Sequence, residues 1–133
     1  MQDLTTDERL ALTRSVIHLL EEWGLQPRDI IHLLALPDDI KPRHLGRYKF
    51  NTPFPDNPEV MRRIEYVVKI ADALRTSFPR NPQQCSRWLR QSNHRFGRQA
   101  PLAMMLEDGE NGLINVLARL DCTFAWDASG SKG

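Results

Sequence analysis

"LEDGENGLINVLARLD", residues 106–121, decides how this chain is read. Apolar stretches run into it from both sides, and Asp108-Gly109-Glu110-Asn111-Gly112 separates them. The segment is either a loop built around a ligand or the corner of a helical hairpin. Gly109 and Gly112 are not a glycine-rich phosphate loop, because no strand precedes them and no lysine follows in the required register. Glu107, Asp108 and Glu110 lack the alternating acidic spacing of a calcium loop. The corner reading therefore stands. It expects Gly109 to end one helix in the left-handed conformation, and Asn111 or Asp108 to cap the next.

Outward from that corner the pattern is helical everywhere, with no convincing strand. Toward the C-terminus, Leu113, Ile114, Leu117 and Leu120 make the last apolar face, and "TFAWDASGSKG" (123–133) reads as a tail whose final residues are loose. Toward the N-terminus, Pro101 opens a helix with Leu102, Met105 and Leu106 inward; of Met104 and Met105, one is expected in the core and the other free for a partner. "NPQQCSRWLR" repeats the proline-at-start device and buries Cys85, Trp88 and Leu89. A long helix precedes it from Asn57-Pro58 to about Phe78, with Val60, Ile64, Val67, Ala71, Leu74 and Phe78 in 3.6-residue register. The proline-rich "NTPFPDNP" cannot be helical. Before it lie "QPRDIIHLLAL", the turn "PDDI" and "KPRHLGRYKF". The first helix opens on a Thr5/Glu8 capping box, carries Leu12, Val16, Leu19, Leu20 and Trp23 on one face, and stops at Gly24.

The 133-residue length suits one ordinary domain or two small modules, and 41% hydrophobic with 26% charged residues argues for a folded globular chain. A net charge of +1 conceals strong local bias. Residues 1–25 are acidic overall; residues 40–50 carry Lys41, Arg43, Arg47 and Lys49 without an acid. Residues 79–101 carry Arg80, Arg87, Arg90, Arg95 and Arg98, again without an acid, and residues 107–133 return to net negative. Such alternation suggests separate patches with separate partners. The sequence shows no signal-peptide pattern and no apolar run of membrane-spanning length, so a cytoplasmic protein with no membrane partner is expected. Cys85 and Cys122 have no CxxC spacing; a reduced pair is the default, a single disulfide the alternative.

No catalytic constellation, cofactor fingerprint or metal site is expected. His18, His32, His44 and His94 are scattered without HExxH or zinc spacing, and there is neither a Walker loop nor a GxSxG elbow. The helix-turn-helix outline of residues 26–50 puts Lys41, Arg43, His44, Arg47 and Lys49 opposite buried Leu45 and Tyr48. That is either a DNA-reading helix with phosphate-neutralising flanks or a solvated basic face on a core helix. Gly46 within the helix and the length of "LPDDIK" weaken the first alternative.

The string "WLRQSNHRFGRQAPLAMMLEDGENGLINVLARLDCTFAW" (88–126) resembles the C-terminal toxin-binding domain of the Xre/MbcA/ParS-like antitoxins of type II toxin–antitoxin pairs. Trp88-Leu89, Asn93, Phe96-Gly97, Pro101-Leu102, the closing Leu106-x-Asp108-Gly109 and the leucine-rich last helix carry the likeness. "RIEYVVKIADALRTSFP" (63–79) resembles the approach to that domain, and residues 26–50 look like the family's N-terminal helix-turn-helix. The resemblance spans about residues 10–126. It implies an all-α fold, with an Xre-type helix-turn-helix-like bundle over 1–76 joined by a long helix to a toxin-binding domain over 77–133. It also implies a non-enzymatic antitoxin that caps a RES-type NAD-degrading toxin or a related ADP-ribosyltransferase and represses its own operon. A homodimer or a hetero-oligomer with the toxin would follow. A stand-alone helix-turn-helix regulator without a toxin is the alternative. Carried across, the cap would centre on Leu102, Met105, Leu106, Glu107, Asp108, Gly109 and Leu113, with Trp126 reaching the toxin's cleft. The chain departs from the family's usual pattern at Ser92, where proline is common, at Arg98, where a second glycine follows the first, and at Ala100 and Lys41, where a small capping residue precedes the proline.

Overall fold

The computed structural model describes residues 5–93 and 96–129, with side chains described as far as Leu120. The fold is all-α. Among the described residues the elements are α1 (Thr6–Glu22), α2 (Pro27–Leu33), a 3-10 turn (Pro42–His44), α3 (Leu45–Phe50), α4 (Pro58–Ser77), α5 (Pro82–Arg90), α6 (Pro101–Asp108) and α7 (Glu110–Ser129). Backbone contacts divide the chain into two compact units, Met1–Glu65 and Tyr66–Gly133, so the division falls inside α4.

In the first unit, α1 begins where the sequence says it should. The Thr5 hydroxyl accepts the Glu8 amide at 3.1 Å, and the Glu8 carboxylate accepts the Thr5 amide at 2.9 Å. This reciprocal box satisfies two amides that the first helical turn leaves open. At its other end Gly24 takes φ 92°, and the Leu25 amide reaches back to the Leu20 carbonyl at 3.1 Å. The chain closes α2 the same way, with the Leu36 amide on the Ile31 carbonyl at 3.1 Å, but there the positive-φ residue is Ala35, at 55°. Both are Schellman-type stops.

The buried side of α1 is rotated slightly from the expected stripe. Val16, Leu20 and Trp23 are buried, but Leu12 and Leu19 are only half-buried, while Thr13 and Ile17 lie in the core. The reason is the proline-rich connector before α4. Phe54 from that connector is almost fully buried and stacks at a tilt on Tyr48, ring centroids 5.5 Å apart. Its amide, which has no helical partner, donates to the Thr13 hydroxyl at 2.8 Å, and that hydroxyl donates to the Arg9 carbonyl at 2.7 Å. Arg9 closes the arrangement by donating from Nε to the Phe54 carbonyl at 3.1 Å. One buried threonine thus satisfies the irregular segment that a helix-only pattern cannot accommodate.

Asn57 caps α4, its side-chain oxygen accepting the amides of Glu59 at 2.9 Å and Val60 at 3.2 Å. From the second turn of α4, Arg63 donates to the Leu33 carbonyl at the end of α2, 3.1 Å away, and to Glu59, also at 3.1 Å. A cation there meets the negative end of α2's dipole.

In the second unit, Val67, Ile70, Ala71 and Leu74 of α4 are buried together with Leu89, Phe96, Leu102, Met105, Leu113, Val116 and Leu120. Asn81 caps α5, its side chain accepting the Gln83 amide at 3.1 Å. Trp88 meets Phe96 edge-on, centroids 6.1 Å apart, which anchors the segment after α5 to that helix. α5 packs on α6, and α6 on α7. The last helix outruns the expectation of a tail from residue 123: α7 continues to Ser129, since residues 121–129 contain neither glycine nor proline to stop it. Residues 130–133 of that expected tail lie outside the described residues.

Replacing Thr13 by valine keeps its shape but strands the buried Phe54 amide. Thr13→Val is expected to lower the unfolding free energy by about 1–3 kcal/mol, read from denaturant titration, whereas Thr13→Ser stays close to the parent.

Candidate functional site

The corner at residues 108–112 is tighter than its composition suggests. α6 starts with Pro101 in its first turn behind Ala100, which offers no side-chain cap, and the Met104 amide bonds to the Ala100 carbonyl at 3.1 Å. It stops when the Gly109 amide reaches the Met105 carbonyl at 3.0 Å; the very next residue begins α7, whose Leu113 amide bonds to the Gly109 carbonyl at 3.0 Å. Gly109, at φ 62° and ψ −128°, is therefore the whole connection. Those angles leave no room for a Cβ, so only glycine makes this turn without strain. The expected cap by Asn111 or Asp108 does not occur. Asn111 and Gly112 are already helical, and the Gly109 backbone closes both helices.

Gly112 has a separate task. A Cβ on it would sit 2.4 Å from the Met104 carbonyl oxygen and 2.8 Å from the Met105 Cα. The two helices thus meet backbone to backbone, a proximity that no other residue type allows. With that crossing fixed, Met105 and Leu113 are completely buried and Leu102 nearly so. Among the residues expected to touch a partner, these three form the floor of the hairpin. Its outer surface comes from exposed Glu107 and Asp108, half-buried Met104, Leu106 and Gly109, and Ile114, which is 41% exposed. Met105 is thus the core methionine and Met104 the one within reach of the surface. The side chain of Trp126 lies outside the described residues.

At the corner two helix dipoles oppose each other: α6 ends where acids are disfavoured, and α7 begins one residue later, where they are favoured. Glu107 and Asp108 occupy the last turn of α6, which carries no basic residue, so both carboxylates face the negative end of the helix dipole. Gln99 donates to Glu107 at 3.1 Å and holds it in place. The loop leading there carries its own strain. The Asn93 carbonyl accepts the amides of Phe96 at 3.0 Å and Arg98 at 2.9 Å, and Gly97 and Arg98 both take positive φ, 64° and 69°. Arg98 stands where the resemblance expects a second glycine, and the backbone keeps the glycine-like conformation despite the side chain.

The basic residues of the first unit are arranged less openly than the sequence implies. Lys41, Arg43, Arg47 and Lys49 are exposed and His44 half-buried. Lys49, however, pairs with Glu21 at 3.0 Å, and the His44 Nδ1 accepts the Lys41 amide at 3.0 Å. The segment is a 3-10 turn followed by the short α3, reached from α2 through residues 34–41, longer than the turn of a tight helix-turn-helix. Gly46 faces open space, with nothing within 4 Å of where its Cβ would be.

The remaining candidates stay apart. His18 pairs with Glu22 at 3.3 Å on the surface of α1, and His94 lies outside the described residues. Among the described residues no group of three or more His, Cys, Asp or Glu side chains could hold a metal ion, and no helix is long and apolar enough to cross a membrane. Cys85 is a free, half-buried thiol. Burial pushes its pKa up, against the opposing pull of a backbone hydrogen bond and Arg75, so it remains a protonated thiol at neutral pH.

The sequence-based reading missed the Gly112 crossing and the Gln99–Glu107 contact. A signal for the first was present: a glycine one turn into a helix costs about 1 kcal/mol relative to alanine and calls for a packing reason. The second joins residues across a loop and leaves no periodic trace.

Compared with known families, residues 73–123 match the one described as antitoxin Xre/MbcA/ParS C-terminal toxin-binding domain. That span takes in the end of α4, all of α5 and α6, and most of α7. No curated protein matches the chain.

Two substitutions separate the close approach from the strained loop. Gly112→Ala forces α6 and α7 apart and is expected to cost about 3 kcal/mol, seen as a large drop in melting temperature. Arg98→Gly removes strain at an exposed position and is expected to raise stability by up to about 1 kcal/mol, the released strain exceeding the added chain entropy.

Proposed function

We propose that this chain, whose residues 73–123 form a toxin-binding domain of the Xre/MbcA/ParS antitoxin type, is the antitoxin of a type II pair and plugs the active-site mouth of its toxin. The toxin in this reading is a RES-type NAD-degrading enzyme or a related ADP-ribosyltransferase. Neutralisation is steric, so the antitoxin needs no catalytic residue and no cofactor of its own.

The observation that carries the reading is the single-glycine corner at Gly109, inside the matched domain. It projects exposed Glu107 and Asp108 on a rigid hairpin. A cleft that binds the pyrophosphate of NAD must be basic, and two carboxylates presented to it speed docking and favour the right partner. Leu106, Gly109, Met104 and Ile114 supply the apolar surroundings of that contact. Leu102, Met105 and Leu113 fix its shape from beneath, and Trp126 is proposed as a further toxin contact. The division of labour is then a toxin-binding domain over 77–133 and a helix-turn-helix-like domain over 1–76. In the latter, Lys41, Arg43, His44, Arg47 and Lys49 contact operator DNA and repress the operon, as a homodimer or together with the toxin in a hetero-oligomer. A cytoplasmic location follows from that role.

Co-expression with the toxin encoded beside it tests the proposal. Growth is expected to recover and the two chains to co-purify; growth arrest that persists alongside soluble antitoxin rejects the reading. Asp108→Lys sharpens the test. Because residue 108 lies between two opposed helix ends, the melting temperature is expected to stay close to wild type, while association with the toxin slows on the order of tenfold at low salt.

A further inference from the structure

The basic run at residues 79–101 is not used by the hairpin. α5 lies within it and carries Arg87 and Arg90, and the structure sorts that helix into two faces. Cys85, Trp88 and Leu89 turn inward, Leu89 fully buried and Trp88 held edge-on against Phe96. Gln83, Arg87 and Arg90 are all exposed, at offsets 0, 4 and 7, so they form one outward stripe, and exposed Gln91 is the extended residue that ends the helix. Exposed Arg80 precedes the helix and exposed Arg98 follows it. Among the described residues none of these four arginines makes an ion pair, and residues 79–101 contain no acid. The first unit's basic helix differs on this point, since Lys49 is already neutralised by Glu21.

We propose that α5 is a duplex-DNA-contacting helix, a second nucleic-acid surface located in the toxin-binding unit and separate from residues 41–49. Charge complementarity selects a polyanion: the Arg87 and Arg90 guanidinium groups share the outer face of one short helix, with Arg80 just before it, and repel each other until phosphates or their equivalent approach. The composition of the stripe favours nucleic acid over an acidic protein surface, because arginine and glutamine are the side chains that pair bidentately with guanine and adenine edges. Duplex DNA is favoured over duplex RNA because the major groove of B-form DNA admits a helix, while that of A-form RNA is too narrow. The inner face of α5 is anchored by Leu89 and Trp88, so the stripe is presented on a rigid element.

The test uses the full chain and a fluorescein-labelled random-sequence 20-base-pair duplex, followed by anisotropy across a salt series. Wild type is expected to bind, with affinity falling steeply as salt rises. Arg87→Ala/Arg90→Ala is expected to melt as wild type does, to bind on the order of tenfold more weakly, and to show a log–log salt slope shallower by about 2. Arg87→Lys/Arg90→Lys, which keeps both charges, is expected to recover most of the affinity. Arg43→Ala/Arg47→Ala reports on the other basic segment, so loss there alone points to DNA contact by residues 41–49 only and overturns the assignment to α5. Failure of wild type to bind the duplex also overturns it, as does an unchanged affinity and slope in the Arg87/Arg90 variant. If that variant instead loses toxin binding while its DNA binding is intact, the stripe belongs to a protein interface and the proposal fails. Toxin neutralisation without any DNA binding rejects this inference and leaves the antitoxin reading standing.

Discussion

The backbone of α7 at Gly112 lies so close to the Met104 carbonyl that a single methyl group would not fit between them. Much of the second unit follows from this approach. The hairpin could not close with one connecting residue if its helices were held apart by side chains, and Gly109 can be that residue because its backbone angles are open only to glycine. With the crossing fixed, Met105 and Leu113 have no direction but inward, and both are fully buried. The corner then has to present whatever lies at the end of α6, which is Glu107 and Asp108. Two glycines and two acids, spaced within six residues, convert a helical hairpin into a rigid projecting surface.

The all-α fold was legible because each helix carries its own punctuation. Thr5 with Glu8, Asn57, Asn81 and the prolines at the helix starts identify N-termini, and the structure uses each of them. The apolar register of α4 was equally plain, with Val60, Ile64, Val67, Ala71 and Leu74 all buried. What periodicity could not show were contacts between distant segments. Thr13 is polar and breaks the apolar stripe of α1, so pattern alone assigns it to solvent, although Phe54 needs its hydroxyl. The stop at Ala35 was hidden for a related reason, since alanine in the positive-φ position carries none of glycine's signal.

At the candidate surface the structure divides the residues singled out by the sequence between the core and the exterior. Leu102, Met105 and Leu113 stood out because they are apolar and regularly spaced, and the same regularity puts them in the core. Ile114 shares that spacing with Leu113 yet faces outward, a distinction that depends on how α6 and α7 cross. The acidic corner and the basic α5 stripe appear in the linear charge pattern and reappear on separate elements of one folded unit, each exposed. A domain bearing an anionic corner and a cationic helix is suited to two different partners, and the strain at Arg98 lies in the loop between those elements.

The most direct measurement of the central claim is amide hydrogen exchange of the full chain, alone and saturated with its toxin. Binding through the hairpin predicts that added protection concentrates at residues 104–118, with the amides around Gly109 changing most. Protection confined to residues 1–65, or none in the hairpin when toxin is fully bound, would contradict it.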